Sequence, residues 1–366
     1  MIMKEAVLKA LGNVDDPDLG KDLVTLNMVR DIEINGNNVS FTVVLTTPAC
    51  PMKEMIEKAC INAIHLLVSK DAIVNVNMAS NVNSNRKDNM AVLTGVKNII
   101  AVASGKGGVG KSTVAVNLAI GLAEEGAKVG LLDADIYGPS IPIMLGVRDE
   151  RPKMMDTPDG KGKIVPIEKY GIKAISIGML VDEKQAVVWR GPIASSALKQ
   201  FISDVHWGEL DYLVIDLPPG TGDIHLTLVQ AVPVTGAVIV STPQAVAAAD
   251  AKKAIMMFKQ PQINIPILGV VENMAYFTPA ELPENKYYIF GKGGAQKMAE
   301  QFELPFLGEV PIVQGIREGG DTGLPAVLDD VNPAGKIFLE LARNVARNVS
   351  MRNANIEPTK VVQMQG

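Results

Sequence analysis

The order of apolar and polar residues divides the chain into two parts with different patterns. In the first part, apolar and polar residues alternate over 39–45 after a turn at 35–38, and apolar residues then recur at helical spacing over 55–67. A last strand is predicted over Ile73–Met78. The pattern therefore predicts a small α+β domain over residues 1–80, with the order helix, hairpin, helix, strand.

The second part alternates short β-branched runs with helical stretches. The runs are almost continuously apolar, which is typical of strands that are covered on both faces of a parallel sheet. Seven strands are predicted, over Asn98–Ser104, Lys128–Asp133, Ile172–Ile177, Tyr212–Asp216, Gly236–Ser241, Ile265–Val271 and Phe306–Val310. The pattern predicts an α/β fold with a mostly parallel sheet over residues 98–350.

Polar stretches lie on both sides of the predicted α/β domain. Residues 81–97 begin with an asparagine-rich run without periodicity, which predicts an interdomain linker. Residues 351–366 are predicted to form a flexible tail. The helical stretch 336–352 carries an apolar stripe that is weak in aromatic residues, so we interpret it as a helix packed on the sheet rather than a membrane-binding helix.

Composition narrows the classes of function. The 366 residues suffice for about two domains, and 47% apolar with 20% charged residues is typical of a globular protein. A net charge of -5 disfavours nucleic acid as a partner. The chain start does not resemble a secretory signal, and no apolar run approaches the roughly 20 residues of a spanning helix. We expect a cytoplasmic protein without a membrane partner, and the presence of only two cysteines fits a reducing compartment.

A glycine-rich loop joins the first strand of the second domain to a helix. It reads Gly105-Lys106-Gly107-Gly108-Val109-Gly110-Lys111-Ser112-Thr113. Glycines allow successive backbone N–H groups to converge on a polyphosphate, and the helix N-terminus adds partial positive charge. We expect Lys111 to contact the β- and γ-phosphates and Ser112 to bind Mg²⁺. The strand–loop–helix order predicts an ATP site formed by all nine residues.

The loop contains a second lysine, Lys106, close to its start. From there its side chain has little room to reach the phosphates bound by its own loop. A cation supplied from a partner would stabilise the charge that gathers on the γ-phosphate oxygens during phosphoryl transfer. We predict that Lys106 acts in trans within a homodimer, and the alternative is a solvated lysine that raises the local potential.

Aspartates end two of the predicted strands. Asp133 and Asp135 are spaced i, i+2 and therefore point to the same side. We expect Asp135 to orient the attacking water and Asp133 to lie near Mg²⁺. Asp216 ends a later strand and fits a residue that holds Mg²⁺ through water. In the Pro/Gly-rich loop that follows, Gly220 can offer its N–H to the γ-phosphate, so this loop is a candidate switch.

Three further residues are weaker candidates. Asn273 follows a late strand, and its amide is predicted to read the edge of the base, with Pro311 forming another wall of that pocket. His225 follows the switch loop closely and could sense the nucleotide state, although packing is the more common role. The three histidines share no metal-ligand spacing, so no zinc site is predicted.

Several of these segments together resemble a known family. They are the glycine-rich loop, Asp133-Ala134-Asp135 with Tyr137-Gly138-Pro139-Ser140, Asp216–Asp223, and Ile316-Arg317-Glu318-Gly319-Gly320-Asp321. Over nearly its whole length the chain resembles the Mrp/ApbC iron–sulfur cluster carrier ATPases, and the loop is similar to their deviant Walker A motif. The N-terminal domain, with Thr46-Thr47-Pro48-Ala49-Cys50-Pro51, looks like the cluster-assembly domain commonly fused ahead of this ATPase.

The resemblance implies a P-loop NTPase fold and ATP hydrolysis by a homodimer. It also implies a [4Fe-4S] cluster that is held between protomers and handed to apo iron–sulfur proteins, with scaffold proteins as further partners. The family's cluster ligands are a Cys-x-x-Cys pair shortly after the Asn-Met of the strand end, but residues 277–291 of this chain contain no cysteine. Because thiolates are the ordinary ligands of iron–sulfur clusters, the usual bridging site cannot be built from that segment.

Cys50 is the remaining candidate for a cluster ligand. It lies in a proline-flanked turn at a helix start, where the helix dipole would lower its thiol pKa. Structural packing is the alternative for Cys50, and Cys60 is expected to be a buried small apolar residue. Two other functions stay open, namely a MinD/ParA-like positioning ATPase and a regulatory ATPase without a cluster. The acidic charge balance and the fused N-terminal domain favour the cluster carrier.

Overall fold

The computed structural model describes residues 2–86, 92–157, 160, 162–180, 191–279, 281–282, 284–329 and 333–362. The chain divides into two compact units. The first consists of Met1–Ser84 and Ala346–Ile356, and the second of Asn85–Val345 and Glu357–Gly366. Residues 87–91 of the predicted linker and 363–366 of the predicted tail lie outside the described residues.

The first unit is built on a three-stranded sheet and two helices. Its elements are α1 (Lys4–Leu11), β1 (Asp15–Asp16), β2 (Lys21–Asp22), β3 (Val29–Asn35), β4 (Asn38–Leu45), α2 (Lys53–Leu67) and β5 (Ile73–Ser80). Strand β4 lies between β3, its antiparallel neighbour, and β5, its parallel neighbour. Every second residue of β4 is buried, and these residues share one core with apolar residues of α1 and α2. The predicted α+β domain is confirmed.

The second unit contains an eight-stranded sheet with helices. Its elements are β6 (Val96–Ala103), α3 (Lys111–Glu124), β7 (Val129–Asp133), α4 (Ile141–Met144), β8 (Lys153–Met155), β9 (Lys163–Val165), β10 (Ile167–Lys169), β11 (Ile172–Ser176), α5 (Gly191–Asp204), β12 (Leu210–Asp216), α6 (Asp223–Ala231), β13 (Gly236–Ser241), α7 (Ala245–Phe258), β14 (Ile267–Phe277), α8 (Gly294–Gln301), β15 (Phe306–Ile312), α9 (Gln314–Thr322) and α10 (Pro333–Asn355). The sheet order is β10-β11-β7-β12-β6-β13-β14-β15, and every neighbouring pair except β10–β11 is parallel. The predicted mostly parallel α/β fold is confirmed.

The seven predicted strands all belong to this sheet, with differences at their ends. The strand predicted to end at Val271 continues to Phe277, because the polar residues Glu272 and Asn273 that interrupt the apolar pattern are themselves buried and hydrogen-bonded. The pattern missed β10, which is a short antiparallel strand at the edge of the sheet. Periodicity in three residues is too short to distinguish a strand from a loop.

The C-terminal boundary also differs from the prediction. Helix α10 runs to Asn355, so residues 351–355 of the predicted tail are helical. The end of α10 belongs to the first unit, which includes Ala346–Ile356. Hydrogen bonds inside that unit explain the extension, because Ser350 Oγ donates to Thr46 Oγ1 at 2.6 Å and Asn353 Nδ2 donates to the Asn83 carbonyl at 3.1 Å. A pattern of polar residues does not predict such contacts, because they join residues that are far apart along the chain. No helix within the described residues combines the length and the apolar character needed to span a membrane.

Candidate functional site

The glycine-rich loop lies between β6 and α3, as its sequence predicts. Helix α3 begins at Lys111, and Gly110 precedes it with a left-handed φ of 78°. Gly108 also has a positive φ, of 79°. Glycine adopts this conformation without steric cost, and the resulting curl directs backbone N–H groups inward at the positive end of the 14-residue helix. This is the geometry of an anion-binding loop.

Parallel register brings three polar residues to one level at the carboxyl edge of the sheet. Asp133 of β7 pairs with Asp216 of β12 on one side and with Ser176 of β11 on the other. Ser176 Oγ donates to Asp133 Oδ2 at 2.8 Å, and the backbone N–H of Asp135 donates to Asp133 Oδ1 at 3.1 Å. Ser176 was absent from the sequence prediction. The signal that could have found it is its position at the end of the strand beside Asp133.

Lys111 is the centre of charge in this group. Its Nζ lies 2.6 Å from Asp216 Oδ1 and 3.8 Å from Asp135 Oδ2, and 3.4 Å from the hydroxyl oxygen of Ser112. The lysine is 6% exposed and Asp216 is fully buried. Both carboxylates and the lysine predicted to act on ATP are therefore brought together by the fold. A bound phosphate would compete with Asp216 for the lysine.

Burial perturbs the aspartates of this group. It raises the pKa of Asp133 to about 8, and the negative charge of Asp216 adds to that effect. Burial also raises the pKa of Asp216 and Asp135, while the positive charge of Lys111 opposes the rise at both residues. Desolvated carboxylates around one buried cation are typical of a functional site.

The oxygen atoms present fit a magnesium ion that arrives with nucleotide phosphates. Mg²⁺ takes oxygen ligands and is usually held by one or two protein groups together with phosphates and waters. Asp216 Oδ2 is buried without a hydrogen-bond partner among the described residues, and Ser112 contributes a nearby hydroxyl. Asp133 differs, because both of its oxygens already accept hydrogen bonds from Ser176 and Asp135. These bonds hold the Asp133 carboxylate in place, and each of its oxygens keeps a second lone pair.

The candidate switch loop, residues 217–222, is engaged with the strand that precedes the phosphate loop. The N–H of Leu217 donates to the Val102 carbonyl at 3.0 Å, and that of Gly220 donates to the Ser104 carbonyl at 2.9 Å. Gly220 has a left-handed φ of 92°. For the Gly220 N–H to reach a γ-phosphate, as predicted, its bond to Ser104 must break and the loop must move.

A cavity of about 570 Å³ adjoins the phosphate loop. Gly110, Thr113, Asn273 and Pro311 contribute to its wall, and most of the remaining lining is apolar. An apolar cleft with few polar groups suits a nucleotide base. Pro311 lines this cavity, and the recognition of a base there by Asn273 and Pro311 stays a prediction.

Asn273 makes a contact that the sequence did not predict. Its Nδ2 donates to the carbonyl oxygen of Val109 at 2.8 Å, so the side chain braces the phosphate loop. The preceding residue, Glu272, is fully buried and accepts hydrogen bonds from the N–H groups of Gly293 and Ala295 at the start of α8. The two consecutive polar side chains therefore join the phosphate loop and α8 to the middle of β14.

The contact between Asn273 and the phosphate loop can be tested with two glycine variants. A Cβ at Gly110 would lie 2.1 Å from Asn273 Nδ2, whereas a Cβ at Gly108 would meet nothing within 4 Å. Both variants carry the cost of a left-handed alanine, roughly 1–2 kcal/mol. We expect Gly110→Ala to lose at least about 1 kcal/mol more unfolding free energy than Gly108→Ala in denaturant titrations without nucleotide. Equal losses would show that the hydrogen bond from Asn273 to Val109 contributes nothing to the unfolding free energy.

Lys106, the lysine predicted to act in trans, belongs to the phosphate loop. Lys106 is half-buried at the start of the phosphate loop, and Ser104 Oγ donates to its carbonyl at 3.0 Å.

In the 277–291 segment, Phe277 and Tyr287 exchange backbone hydrogen bonds, and Lys286 Nζ lies 3.9 Å from the centre of the Tyr276 ring. Aromatic and cationic side chains occupy the segment in which the resemblance implies a cysteine pair.

The structure corrects the expectation for the Cys50 thiol. Its pKa was predicted to fall because of the helix dipole, but α2 begins only at Lys53, and burial raises the pKa of the Cys50 thiol. Cys50 is half-buried. Cys60 is fully buried, as expected, and burial raises its pKa to about 12. Within the described residues, no three His, Cys, Asp or Glu side chains are grouped to hold a metal ion.

A strand, a glycine-rich loop and a helix in a mostly parallel sheet, with aspartates at the neighbouring strand ends, define a P-loop NTPase. The chain belongs to the family described as NUBPL iron-transfer P-loop NTPases, whose model matches residues 95–346. A second family model, described as an iron–sulfur cluster assembly protein, matches residues 4–78. The predicted family and the order of its two domains are confirmed.

Individual relatives agree with this assignment. An iron–sulfur cluster carrier protein of Synechocystis is 48% identical over 96% of this chain and 99% of the relative. The structure of a nucleotide-binding protein from Archaeoglobus fulgidus in complex with ADP is 40% identical, covers 66% of this chain and 91% of its own, and has a TM-score of 0.56. The cell division ATPase MinD of Pyrococcus furiosus, at 23% identity over 68% of this chain and 98% of its own with a TM-score of 0.50, shares the fold alone.

Proposed function

We propose that this protein is an ATP-hydrolysing iron–sulfur cluster carrier that works as a homodimer and delivers [4Fe-4S] clusters to apo iron–sulfur proteins. The observation that carries the nucleotide part is the buried pair formed by Lys111 and Asp216 beneath the phosphate loop, with Lys111 Nζ at 2.6 Å from the carboxylate. A buried lysine held by a carboxylate that can be displaced is ready to exchange that partner for a phosphate. The names of the relatives support an iron–sulfur cluster as the cargo.

The positions of the side chains at the phosphate site support the roles proposed for them. Lys111 and the N–H groups of the phosphate loop bind the phosphates. Asp216 and Ser112 would hold Mg²⁺, which would supply positive charge to neutralise the nucleotide phosphates. Asp135, 14% exposed and beside Lys111, orients the attacking water. Lys106 of the partner protomer stabilises the charge on the transferring phosphoryl group.

Transfer of the cluster requires ligands beyond the phosphate site. Each chain offers the half-buried Cys50 and the fully buried Cys60, so a homodimer has only two accessible thiols. We propose that Cys50 holds the cluster in part and that scaffold or recipient proteins supply the remaining ligands. Shared ligation of this kind suits a cargo that must leave. We further propose that the protein acts in the cytoplasm, because only two cysteines in 366 residues fit a reducing compartment.

Anaerobic reconstitution with iron, sulfide and a small-molecule thiol, which stands in for the ligands of the partner proteins, tests this proposal. We expect the parent protein to bind iron and sulfide and to show the broad visible absorption of a cluster, and Cys50→Ala to lose most of both. Cys60→Ala is the matched control, because the buried Cys60 thiol has no access to cargo and this variant should load like the parent. If the parent takes up no iron, the carrier function is wrong and a regulatory ATPase replaces it.

A further inference from the structure

Buried polar atoms without partners occur where the nucleotide site lies. Among the described residues, Asp216 Oδ2, Thr242 Oγ1 and both ring nitrogens of His225 are buried without a hydrogen-bond partner. Asp216 ends β12, Thr242 directly follows β13, and His225 lies in the first turn of α6. Because folded proteins leave few buried polar groups unpaired, such groups call for a specific explanation. A bound Mg²⁺ would be a partner for Asp216 Oδ2, but it would not provide one for the ring nitrogens of His225.

The His225 ring is neutral and enclosed. The side chain is 1% exposed, and the ring of Phe258, whose centroid lies 6.4 Å from that of His225, offers no hydrogen bond. Burial and then the positive charge of Lys111 lower the pKa of His225 to about 4. The Gly222 backbone opposes this fall in the pKa. At neutral pH the ring therefore has one N–H donor and one acceptor nitrogen, and neither meets the geometry of a hydrogen bond in this structure.

The backbone of His225 ties α6 to the switch loop. Its N–H donates to the carbonyl of Gly222, which directly precedes the helix, at 3.1 Å. The same loop is attached at its middle by the bond from the Gly220 N–H to the Ser104 carbonyl. If a γ-phosphate took the Gly220 N–H, that bond would break, and the polar groups of residues 217–222 would change position relative to the His225 ring.

We propose that His225 is a positioning residue that holds the 217–222 loop in its ATP-bound arrangement. In that arrangement a polar group of the loop becomes the partner of the imidazole, which has none in the structure described here. The ring acts through the loop and does not contact the nucleotide. The inference rests on the proposed ATPase function, and it assigns a role to a residue outside the phosphate loop and the aspartate cluster.

The proposal predicts opposite effects on stability and turnover. His225→Leu removes two unpartnered polar atoms, so the thermal unfolding midpoint without nucleotide should be unchanged or higher. Its kcat should fall at least about tenfold, while KM and the affinity for ADP stay within about threefold of the parent. His225→Gln should recover most of the lost kcat, because its amide offers both a donor and an acceptor. A merely structural histidine would not show this combination.

Thr227→Val provides the control on the same helix. It removes the hydrogen bond from Thr227 Oγ1 to Ser195 Oγ, 2.9 Å long, and should leave kcat near the parental value. The proposal is overturned if His225→Leu turns over at the parental rate, if it loses stability in step with activity, if Thr227→Val lowers kcat equally, or if His225→Gln recovers nothing.

Binding measurements separate this proposal from the proposed function. A parent protein that binds ATP without hydrolysing it would refute the ATPase assignment alone. The preference for a non-hydrolysable ATP analogue over ADP then still tests His225, since the ring is proposed to stabilise the ATP-bound loop. We expect His225→Leu to reduce that preference at least about tenfold, and an unchanged preference would overturn the role of His225.

Discussion

Lys111→Met is expected to abolish nucleotide binding and to destabilise the folded protein. The lysine is the buried cation that contacts Asp216 at 2.6 Å and lies 3.8 Å from Asp135. Removing one partner of a buried ion pair costs about 3–5 kcal/mol, because the other charge stays buried without compensation. Methionine keeps the length and apolar stem of lysine, so the effect reports on the charge. Calorimetry with Mg-ATP and denaturant unfolding measure the two consequences.

The stability loss of this variant should depend on pH in a defined direction. Without Lys111, the pKa of Asp216, already raised by burial, rises further because its favourable counter-charge is gone. Above the ordinary pKa of an aspartate, the folded state then binds a proton that the unfolded state releases. The unfolding free energy therefore falls as pH rises toward the raised pKa. Lys111→Met should lose stability more steeply than the parent as the pH rises above about 4, the ordinary pKa of an aspartate.

A double variant separates the two effects. Lys111→Met combined with Asp216→Asn removes both charges of the pair, so most of the lost stability should return, whereas nucleotide binding should not. Parental ATP affinity in either variant would contradict the role of Lys111. Failure of the double variant to regain stability would contradict the importance of the buried charge.

Lys106→Ala is expected to abolish hydrolysis while sparing nucleotide affinity. A cation supplied in trans to the transferring phosphoryl group is worth about 10³–10⁵-fold in rate. Lys106 is half-buried at the start of the phosphate loop, while Lys111 already serves its own site. We therefore expect at least about a thousandfold loss of kcat, with the ADP dissociation constant within about threefold of the parent. Single-turnover hydrolysis and calorimetry measure these two quantities.

Mixing two inactive proteins tests whether Lys106 acts across a dimer. Asp135→Asn retains Lys106 but cannot orient the water, and Lys106→Ala retains its own phosphate site. In mixed dimers, the Lys106→Ala protomer receives the lysine of its partner. An equimolar mixture should regain about a quarter of parental activity, because half of the dimers are mixed and each has one complete site. No recovery in the mixture, or parental turnover by Lys106→Ala alone, would refute action in trans.

The sequence predicted the phosphate site more fully than the groups that surround it. The glycine loop, Lys111, Asp133 and Asp216 were identified because strand–loop–helix order and acidic strand ends are local patterns. Ser176, by contrast, becomes a partner of Asp133 only through the register of β11 beside β7. A lone serine at a strand end has no distinguishing local signal.

Two other residues also show that local sequence patterns do not predict contacts between distant segments. The predicted contact of Asn273 with a base stays a prediction, whereas the bond from its amide group to the phosphate loop at Val109, a residue 164 positions away along the chain, was not predicted. The thiol of Cys50 was predicted to have a lowered pKa from its place before a helix, yet desolvation raises the pKa. Burial depends on what packs over a residue, and distant segments supply that packing.

By itself, the sequence determined the family, the two-domain order, the parallel sheet and the phosphate-binding loop, since each depends on residues that are close along the chain. Tertiary structure alone decided that Asp216 is the carboxylate paired with Lys111, that Asn273 braces the loop, and that the His225 ring is buried without a partner. The physical reason is that hydrogen bonding and desolvation depend on separation in space. That separation is fixed only when strands distant in sequence align in one sheet.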